Sequence, residues 1–374
     1  MALIGGRCDE RFGPVRDAMV RNLDEGGDLG CSAAVVLDGE LVVDLWGGHL
    51  DEERTRPWEW DTLVTVFSAT KTMTNLCALV LADRGELDLH APVARYWPEF
   101  AAAGKAGVEV RHVLAHTAGL PVWSTPVTVD DLYDWERMTS LLAAVTPRWE
   151  PGTRLGYHGL TQGYLVGELV RRVTGQSLGR FLADEITAPL GADFHIGTPP
   201  EVDPRITDVI PPTVAAGDLH EPGTLGHESV TNPPFSPEET FTERWRRAEI
   251  PAGNGYGNAR SLAVAQAAVS CGAGGVLSDR GRDAIFEIQA EGTDLVSGQA
   301  MRMGIGYGIT SELLMVSPNP RACFWGGSGG TLVVNDVDAR MTVVFVPNRM
   351  LHENEFGRAA AIVLATYQSL LAGG

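Results

Sequence analysis

Two stretches rich in β-branched residues lie near opposite ends of this 374-residue chain, and their placement limits the fold more than any other feature. The first, SAAVVLDGELVVDLWGG (residues 32–48), turns at Asp38-Gly39, which is a strong β-hairpin signal. The second, GTLVVNDVDARMTVVFVP (residues 330–347), turns between Asp336 and Arg340. Sheet-forming segments thus occur at both ends of the chain, and any fold must accommodate what lies between them.

Helical patterns flank and separate these strands. Residues 10–24 carry apolar side chains at helical spacing, as does the terminal run that begins EFGRAAAIV. Between residues 92 and 294, helical segments such as TQGYLVGELVRRVTG alternate with long loops rich in proline and glycine. We therefore predict an α+β fold, with an antiparallel sheet flanked by terminal helices (residues 1–91 and 295–374) and a mostly helical inserted domain (residues 92–294).

The composition opposes several classes of partner. With 29 Lys and Arg against 48 Asp and Glu, the net charge is -19, which disfavours nonspecific binding to nucleic acid or an anionic membrane. No stretch approaches the roughly 18 consecutive apolar residues of a membrane span, and the N-terminus lacks a signal-type apolar run. The five cysteines are widely spread and indicate no disulfide framework. We expect a cytoplasmic protein with a small-molecule partner; the sequence leaves the oligomeric state open.

Ser328 is one candidate nucleophile, because FWGGSGG contains the G-x-S-x-G pattern of the strand-to-helix elbow found in many esterases. That elbow requires a helix directly after the serine, whereas Ser328 leads into the second predicted hairpin. A glycine-rich strand edge, where the backbone can approach a ligand closely, is the better interpretation.

Ser68 is the stronger candidate. It begins a predicted helix over residues 68–82, which places Lys71 one turn away on the same face. A serine hydroxyl needs a base to attack an acyl carbon, and lysine can serve if burial or nearby charge lowers its pKa. Backbone N–H groups at the helix start also favour developing negative charge. Alone, S-x-x-K is a weak pattern that also fits an N-capping serine beside a surface lysine.

Further segments strengthen the case for Ser68. FSATK, VRHVLAHTAGLP, WEPGTRLGYHGL and FWGGSGG follow one another in that order. Together they resemble the serine β-lactamase and penicillin-binding-protein superfamily, whose motifs are S-x-x-K, Y-x-N or S-x-N, and K-T-G or H-x-G. The resemblance covers nearly the whole chain and implies the β-lactamase/transpeptidase-like fold.

Two departures from those motifs carry information about the substrate. Trp325 stands where relatives that bind penicillin have lysine or histidine, and an indole cannot replace that charge. The second motif reads Tyr157-His158-Gly159 and lacks the usual amide. W-G-G is similar instead to the family VIII carboxylesterases and to lovastatin-synthase-type acyltransferases.

The resemblance assigns roles residue by residue. It implies that Ser68 is the acylated nucleophile, that Lys71 and Tyr157 share the acid and base work, and that the N–H groups of Ser68 and Ser328 form the oxyanion hole. The predicted substrate-binding residues are Trp325, Gly326, Gly327 and His158. For His158, a supporting role without substrate contact is the alternative.

No cofactor is implied, and we predict no metal. His112 and His116 lie four residues apart, but HVLAH lacks the glutamate of H-E-x-x-H and no third ligand is evident. The expected activity is hydrolysis of small carboxylic esters through an acyl-enzyme. The alternatives are a transacylase that passes the acyl group to an alcohol or amine, a β-lactamase or D-amino-acid peptidase, and a non-catalytic binding protein.

Overall fold

A computed structural model describes residues 2–351 and 356–372. Its strands are β1 (Ile4–Cys8), β2 (Gly30–Leu37), β3 (Glu40–Gly48), β4 (Leu63–Thr65), β5 (His195–Ile196), β6 (Ile206–Thr207), β7 (Gly255–Gly257), β8 (Ala290–Thr293), β9 (Ala300–Met303), β10 (Gly308–Ile309), β11 (Ala322–Gly327), β12 (Thr331–Asp336) and β13 (Met341–Pro347). Its helices are α1 (Gly13–Asp24), α2 (Thr70–Asp83), α3 (Val110–Leu114), α4 (Trp135–Ala144), α5 (Thr161–Thr174), α6 (Leu178–Leu182), α7 (Ala188–Leu190), α8 (Leu225–Thr231), α9 (Glu243–Arg247), α10 (Ala259–Cys271), α11 (Asp279–Ala284) and α12 (Gly357–Ala372).

The two ends of the chain meet in one nine-stranded antiparallel sheet, in the order β1-β3-β2-β13-β12-β11-β10-β9-β8. The N-terminal and C-terminal strands join where β2 pairs with β13, with Val35 opposite Val343. Every residue of β13 is buried, as expected for a strand covered on both faces. The predicted antiparallel sheet is therefore confirmed.

The first hairpin forms as its turn residues require. Asp38 and Gly39 both have positive φ angles, 51° and 85°, which a two-residue turn matched to the twist of the strands demands. Glycine reaches this region freely and aspartate tolerates it, so Asp38-Gly39 fixes the register of β2 against β3.

The terminal helices cover one face of the sheet. α1 packs against α12, and their buried residues form a core with the strands that includes Phe12, Met19, Phe345 and Ile362. Both helices were predicted from their apolar spacing; Glu355, the first residue of the predicted terminal run, lies outside the described residues. We call the face covered by α1 and α12 the outer face.

The opposite, inner face carries α10, which packs across β2, β12 and β13. Beyond it, α2 contacts α5 and α6, and one continuous apolar core joins these helices to the sheet. A second sheet in the order β5-β7-β4-β6 lies among these elements. The sequence did not reveal it, because strands of two or three residues are too short to show alternation.

The predicted domain boundaries stay a prediction. Two elements that fall within residues 92–294 contact the nine-stranded sheet directly, since α10 lies on its inner face and β8 forms its edge through pairing with β9. Within residues 2–351 and 356–372, no helix is long and apolar enough to cross a membrane.

Candidate active site

Ser68 lies in a 3-10 turn, Phe67–Ala69, directly before α2. Phe67 has a backbone φ of 45°, in the left-handed region that a bulky residue rarely adopts. Such strain occurs at functional sites where the surrounding structure enforces it. Here the Phe67 ring is buried and the Ala69 N–H donates to the Val66 carbonyl at 3.1 Å. The turn presents the partly exposed Ser68 side chain to a large cavity.

Lys71 lies one helical turn after Ser68 and is fully buried. Its Nζ is 3.2 Å from Ser68 Oγ, 2.8 Å from Tyr157 Oη and 2.9 Å from the Ala252 carbonyl oxygen. These contacts fix the amine between the serine and the phenol. The Ala252 carbonyl is a backbone group, so no side-chain pattern could have indicated it.

Tyr157 completes the cluster, because its Oη lies 2.5 Å from Ser68 Oγ. The two neighbours of Tyr157 are both held by His116: the Gly156 N–H donates to the His116 carbonyl, and the His158 N–H donates to His116 Nδ1, each at 3.1 Å. The structure thus brings together Ser68, Lys71 and Tyr157, which come from two distant parts of the chain.

Burial shifts the pKa values of both titratable groups in this cluster toward the uncharged forms. Desolvation lowers the pKa of Lys71 well below 10.5. Desolvation also raises the pKa of Tyr157 above 10, and the hydrogen bond to Ser68 offsets this only in part. Burial therefore favours a neutral amine beside a neutral phenol more than water would.

His116 has a larger role at this site than the sequence suggested. Its φ of 59° is in the left-handed region, and its buried ring stacks on Trp325 at 5.1 Å and meets the Tyr157 ring edge-on at 5.2 Å. Burial lowers the pKa of His116 well below 6.5, so the imidazole stays neutral. His116 supports the phenol and the indole; its contacts are long-range and were not visible in HVLAH.

The structure does not bring the His158 side chain to the cavity. His158 is fully buried; its Nδ1 lies 2.6 Å from the Gly156 carbonyl and its Nε2 accepts from the Leu120 N–H at 2.9 Å. Burial lowers its pKa to about 4. Tyr157 lines the cavity, whereas the His158 ring lies in the protein interior. The arrangement matches the supporting role rather than substrate contact.

The third predicted segment approaches Ser68 along β11. A Cβ atom on Gly327 would lie 2.1 Å from the Val66 carbonyl oxygen and 3.0 Å from the Ala69 nitrogen, so only glycine permits this contact. Ser328 follows in an exposed turn closed by the Gly330 N–H, which donates to the Gly327 carbonyl at 3.1 Å. Ser68 and Ser328 line the same cavity.

No metal site accompanies this arrangement in the part of the chain that the structure describes. No group of three or more His, Cys, Asp or Glu side chains there could hold a metal ion. His112, the other histidine of HVLAH, accepts a hydrogen bond at Nδ1 from the Glu109 N–H at 3.2 Å and caps the start of α3.

Comparison with known proteins identifies the family. The family model described as Beta-lactamase matches residues 15–367. The chain belongs to the beta-lactamase family. The predicted β-lactamase/transpeptidase-like fold is thus confirmed, and the protein is a serine hydrolase of the beta-lactamase superfamily.

Several relatives within the beta-lactamase superfamily are esterases. Esterase/beta-lactamase LipL of Mycobacterium tuberculosis (strain ATCC 25618 / H37Rv) is 38% identical over 281 residues, which cover 71% of this chain and 64% of LipL. Esterase EstB of Burkholderia gladioli is 29% identical over 328 residues, 81% of this chain and 79% of EstB. A crystal structure of a family VIII carboxylesterase has a TM-score of 0.91 at 38% identity and covers 98% of this chain and 100% of that one. These similarities support a carboxylesterase function.

The cavity of this beta-lactamase-family chain is large and mostly apolar, with a volume of about 1210 Å³. Next to the cluster of Ser68, Lys71 and Tyr157, one wall of the cavity is formed by Leu155, Met303 and Trp325, which pack together with Met301 beside them. Asp294 also lines this part, and its Oδ1 accepts from the Val296 and Ser297 N–H groups. Leu155 and the two methionines were not among the predicted residues, because a loop and the four-residue strand β9 give no local signal.

Proposed function

We propose that this protein is a carboxylesterase that cleaves small carboxylic esters through an acyl-enzyme on Ser68. The observation that carries the proposal is the continuous contact from Ser68 Oγ to Tyr157 Oη at 2.5 Å and from Tyr157 Oη to the buried Lys71 Nζ at 2.8 Å. A nucleophile within hydrogen-bond reach of a base, with that base held by further contacts, is the arrangement that nucleophilic catalysis requires.

Acylation begins when Ser68 Oγ attacks the ester carbonyl carbon. The serine proton passes to Tyr157 Oη while the phenol proton passes to Lys71 Nζ, which becomes an ammonium ion held by the Ala252 carbonyl. The carbonyl oxygen gains negative charge and accepts hydrogen bonds from the N–H groups of Ser68 and Ser328. Donors fixed in place before the reaction stabilise such a charge strongly.

The tetrahedral intermediate then collapses and expels the alcohol. Lys71 returns its proton through Tyr157 to the departing oxygen, which leaves an acyl group on Ser68 and a neutral amine and phenol. Water enters, gives its proton along the same route and attacks the acyl carbon. Loss of Ser68 from the second intermediate releases the acid and restores the starting enzyme.

The walls of the cavity favour an uncharged ester over a substrate with a carboxylate near the reacting bond. Trp325 presents an indole beside Tyr157, with ring centroids 5.8 Å apart, where penicillin-recognising relatives offer a polar or cationic group. An anionic substrate group would also meet the Asp294 carboxylate. Both features disfavour the β-lactamase and D-amino-acid peptidase alternatives.

Mass spectrometry of the intact protein tests the assignment of the nucleophile. Wild type, Ser68→Ala and Ser328→Ala are exposed to p-nitrophenyl butyrate and quenched at short times. We expect a butyryl adduct on wild type and on Ser328→Ala, whose backbone N–H is retained, and none on Ser68→Ala. An adduct that is lost only in Ser328→Ala would overturn the assignment, and a wild type that never reacts with this ester or with a fluorophosphonate would favour a non-catalytic binding protein.

Acyl transfer to an alcohol or amine is the second candidate function, and the size of the cavity supports it. About 1210 Å³ leaves room for an acceptor beside the acyl group, and a mostly apolar lining limits the access of water. The same assay with an added alcohol or amine distinguishes the two activities, because transfer yields a new ester or amide whereas hydrolysis yields only free acid. A cytoplasmic location and a small-molecule partner remain predictions from the sequence.

A further inference from the structure

An apolar groove continues from the catalytic cavity along the outer face of the sheet. Its floor includes Phe324 and Leu332, which point toward α12. We call it the C-terminal groove, and its walls come from the start and exposed side of α12 and from the loop of residues 311–318: Phe356, Ala361, Leu364, Leu371, Leu313 and Met315. These residues and Ser68 line one and the same cavity.

The apolar side chains of the C-terminal groove are unusually exposed. Leu364 is 60% exposed, Leu371 80% and Met315 77%. On α12, the residues that line the groove recur at helical spacing as Gly357, Ala361 and Leu364, whereas Ala359 and Ile362 on the other side are buried against the sheet. The fold therefore leaves Leu364 and Leu371 exposed, and a contiguous exposed apolar surface of this kind marks a binding site.

The groove begins directly behind β11, the strand that approaches Ser68. Neighbouring residues of β11 point to opposite faces, so Trp325 contacts Tyr157 while Gly326 opens toward Phe356. A Cβ atom on Gly326 would lie 2.6 Å from the Phe356 ring, so the absence of a side chain on Gly326 lets Phe356 pack directly against β11. From this point the groove follows α12, whose 16 residues span about 24 Å.

We propose that the C-terminal groove binds the acyl chain of a long-chain carboxylic ester while the carbonyl group lies at Ser68. This inference rests on the proposed esterase function and names its substrate class. An unbranched acyl chain is long, narrow and uncharged, which matches a groove whose walls are Leu, Met, Phe and Ala side chains. The small residues Gly357 and Ala361 provide the width that a chain needs between helix and sheet.

The test compares one short and one long ester in variants that fill the groove. Ala361→Trp places an indole inside it, and Leu364→Glu adds a carboxylate at a position already 60% exposed, where the fold tolerates polarity. Asp17→Trp is the control, because Asp17 is exposed on the neighbouring helix α1 and does not line the groove. Substrates are p-nitrophenyl butyrate and p-nitrophenyl palmitate, each kept below its aggregation concentration.

We expect wild type and Asp17→Trp to hydrolyse both esters. Ala361→Trp and Leu364→Glu should lower kcat/KM for the palmitate at least tenfold and change the butyrate value less than twofold. Equal losses on both esters, or no loss on the palmitate, would refute the groove as the acyl site. A wild type active only on the butyrate would refute the groove alone, whereas a wild type active on neither would refute the esterase function.

Light scattering separates this proposal from pairing between two copies of the chain. If the stripe on α12 binds an acyl chain, wild type and Leu364→Glu should have the same molar mass in solution. A wild-type dimer that Leu364→Glu dissociates without changing the ratio of palmitate to butyrate activity would show that a second copy covers the groove, and would overturn the proposal.

Discussion

Replacement of His158 by glutamine should make the stability of the protein less sensitive to acid. His158 is fully buried, and burial lowers its pKa to about 4 from 6.5. Glutamine does not titrate, and its amide oxygen can still accept from the Leu120 N–H, as Nε2 does. The substitution therefore isolates the contribution of protonation.

The sign and size of the effect follow from the pKa shift. Above pH 6.5 the histidine is neutral in the folded and unfolded states, and its contribution is fully present. As the pH falls from 6.5 toward 4, the unfolded chain binds a proton that the folded protein refuses, so the free energy of unfolding falls. At about pH 5 this loss amounts to about 2 kcal/mol.

The assay is urea unfolding of wild type and His158→Gln at about pH 7.5 and about pH 5. The stability advantage of wild type over the variant should shrink by about 2 kcal/mol at the lower pH. His90→Gln serves as the control, because His90 is exposed and lacks the burial to which the effect is attributed. An advantage of equal size at both pH values would refute the reasoning.

The remaining predictions concern the catalytic cluster. Tyr157→Phe removes the oxygen that lies 2.5 Å from Ser68 Oγ and leaves Lys71 Nζ 3.2 Å from it. In steady-state kinetics, kcat should fall by about 10²–10⁴ with little change in KM. An unchanged kcat would make Lys71 the direct base. Burial lowers the pKa of Lys71, and the proposed mechanism needs its neutral amine, so kcat/KM should rise with pH through that lowered pKa and be lost below it. Lys71→Arg, whose guanidinium stays charged, should be inactive across the whole pH profile, and an active variant with an unshifted acidic limb would contradict this role for Lys71.

Much of the fold could be predicted because its signals are local. Asp38-Gly39 specifies a two-residue turn wherever it stands between apolar runs, and the spacing along α1 and α12 shows which sides are buried. The short strands β5, β6 and β7 could not be found this way. These strands form because the surrounding helical region holds them side by side, and a segment of two or three residues carries no sequence pattern that predicts the pairing.

At the site, the residues that could be predicted are those in short motifs that follow one another in a recognisable order along the chain. Ser68 and Lys71 share one helix face, and Tyr157 follows a Pro-Gly turn. The groups that hold them are different in kind: a strained φ at Phe67, a backbone carbonyl at Ala252 and a stacked ring at His116. A short motif does not specify backbone conformation or long-range packing, so these three features could not be predicted from the sequence.

Helix α12 connects core, catalytic turn and groove in one element. Near its start, buried Arg358 donates from Nη2 to the carbonyls of Gly329 and Arg349, each at 2.9 Å, and its Nη1 pairs with buried Asp28. Burial raises the pKa of Asp28 to about 7 although the charge of Arg358 lowers it, so the loss of hydration outweighs the attraction between the two groups. Apolar residues would pack such a site at lower cost, but they could not hold the carbonyl one residue after Ser328. The turn whose amide we propose for the oxyanion hole is therefore fixed by the same helix that walls the proposed groove, so a shift of α12 would alter both.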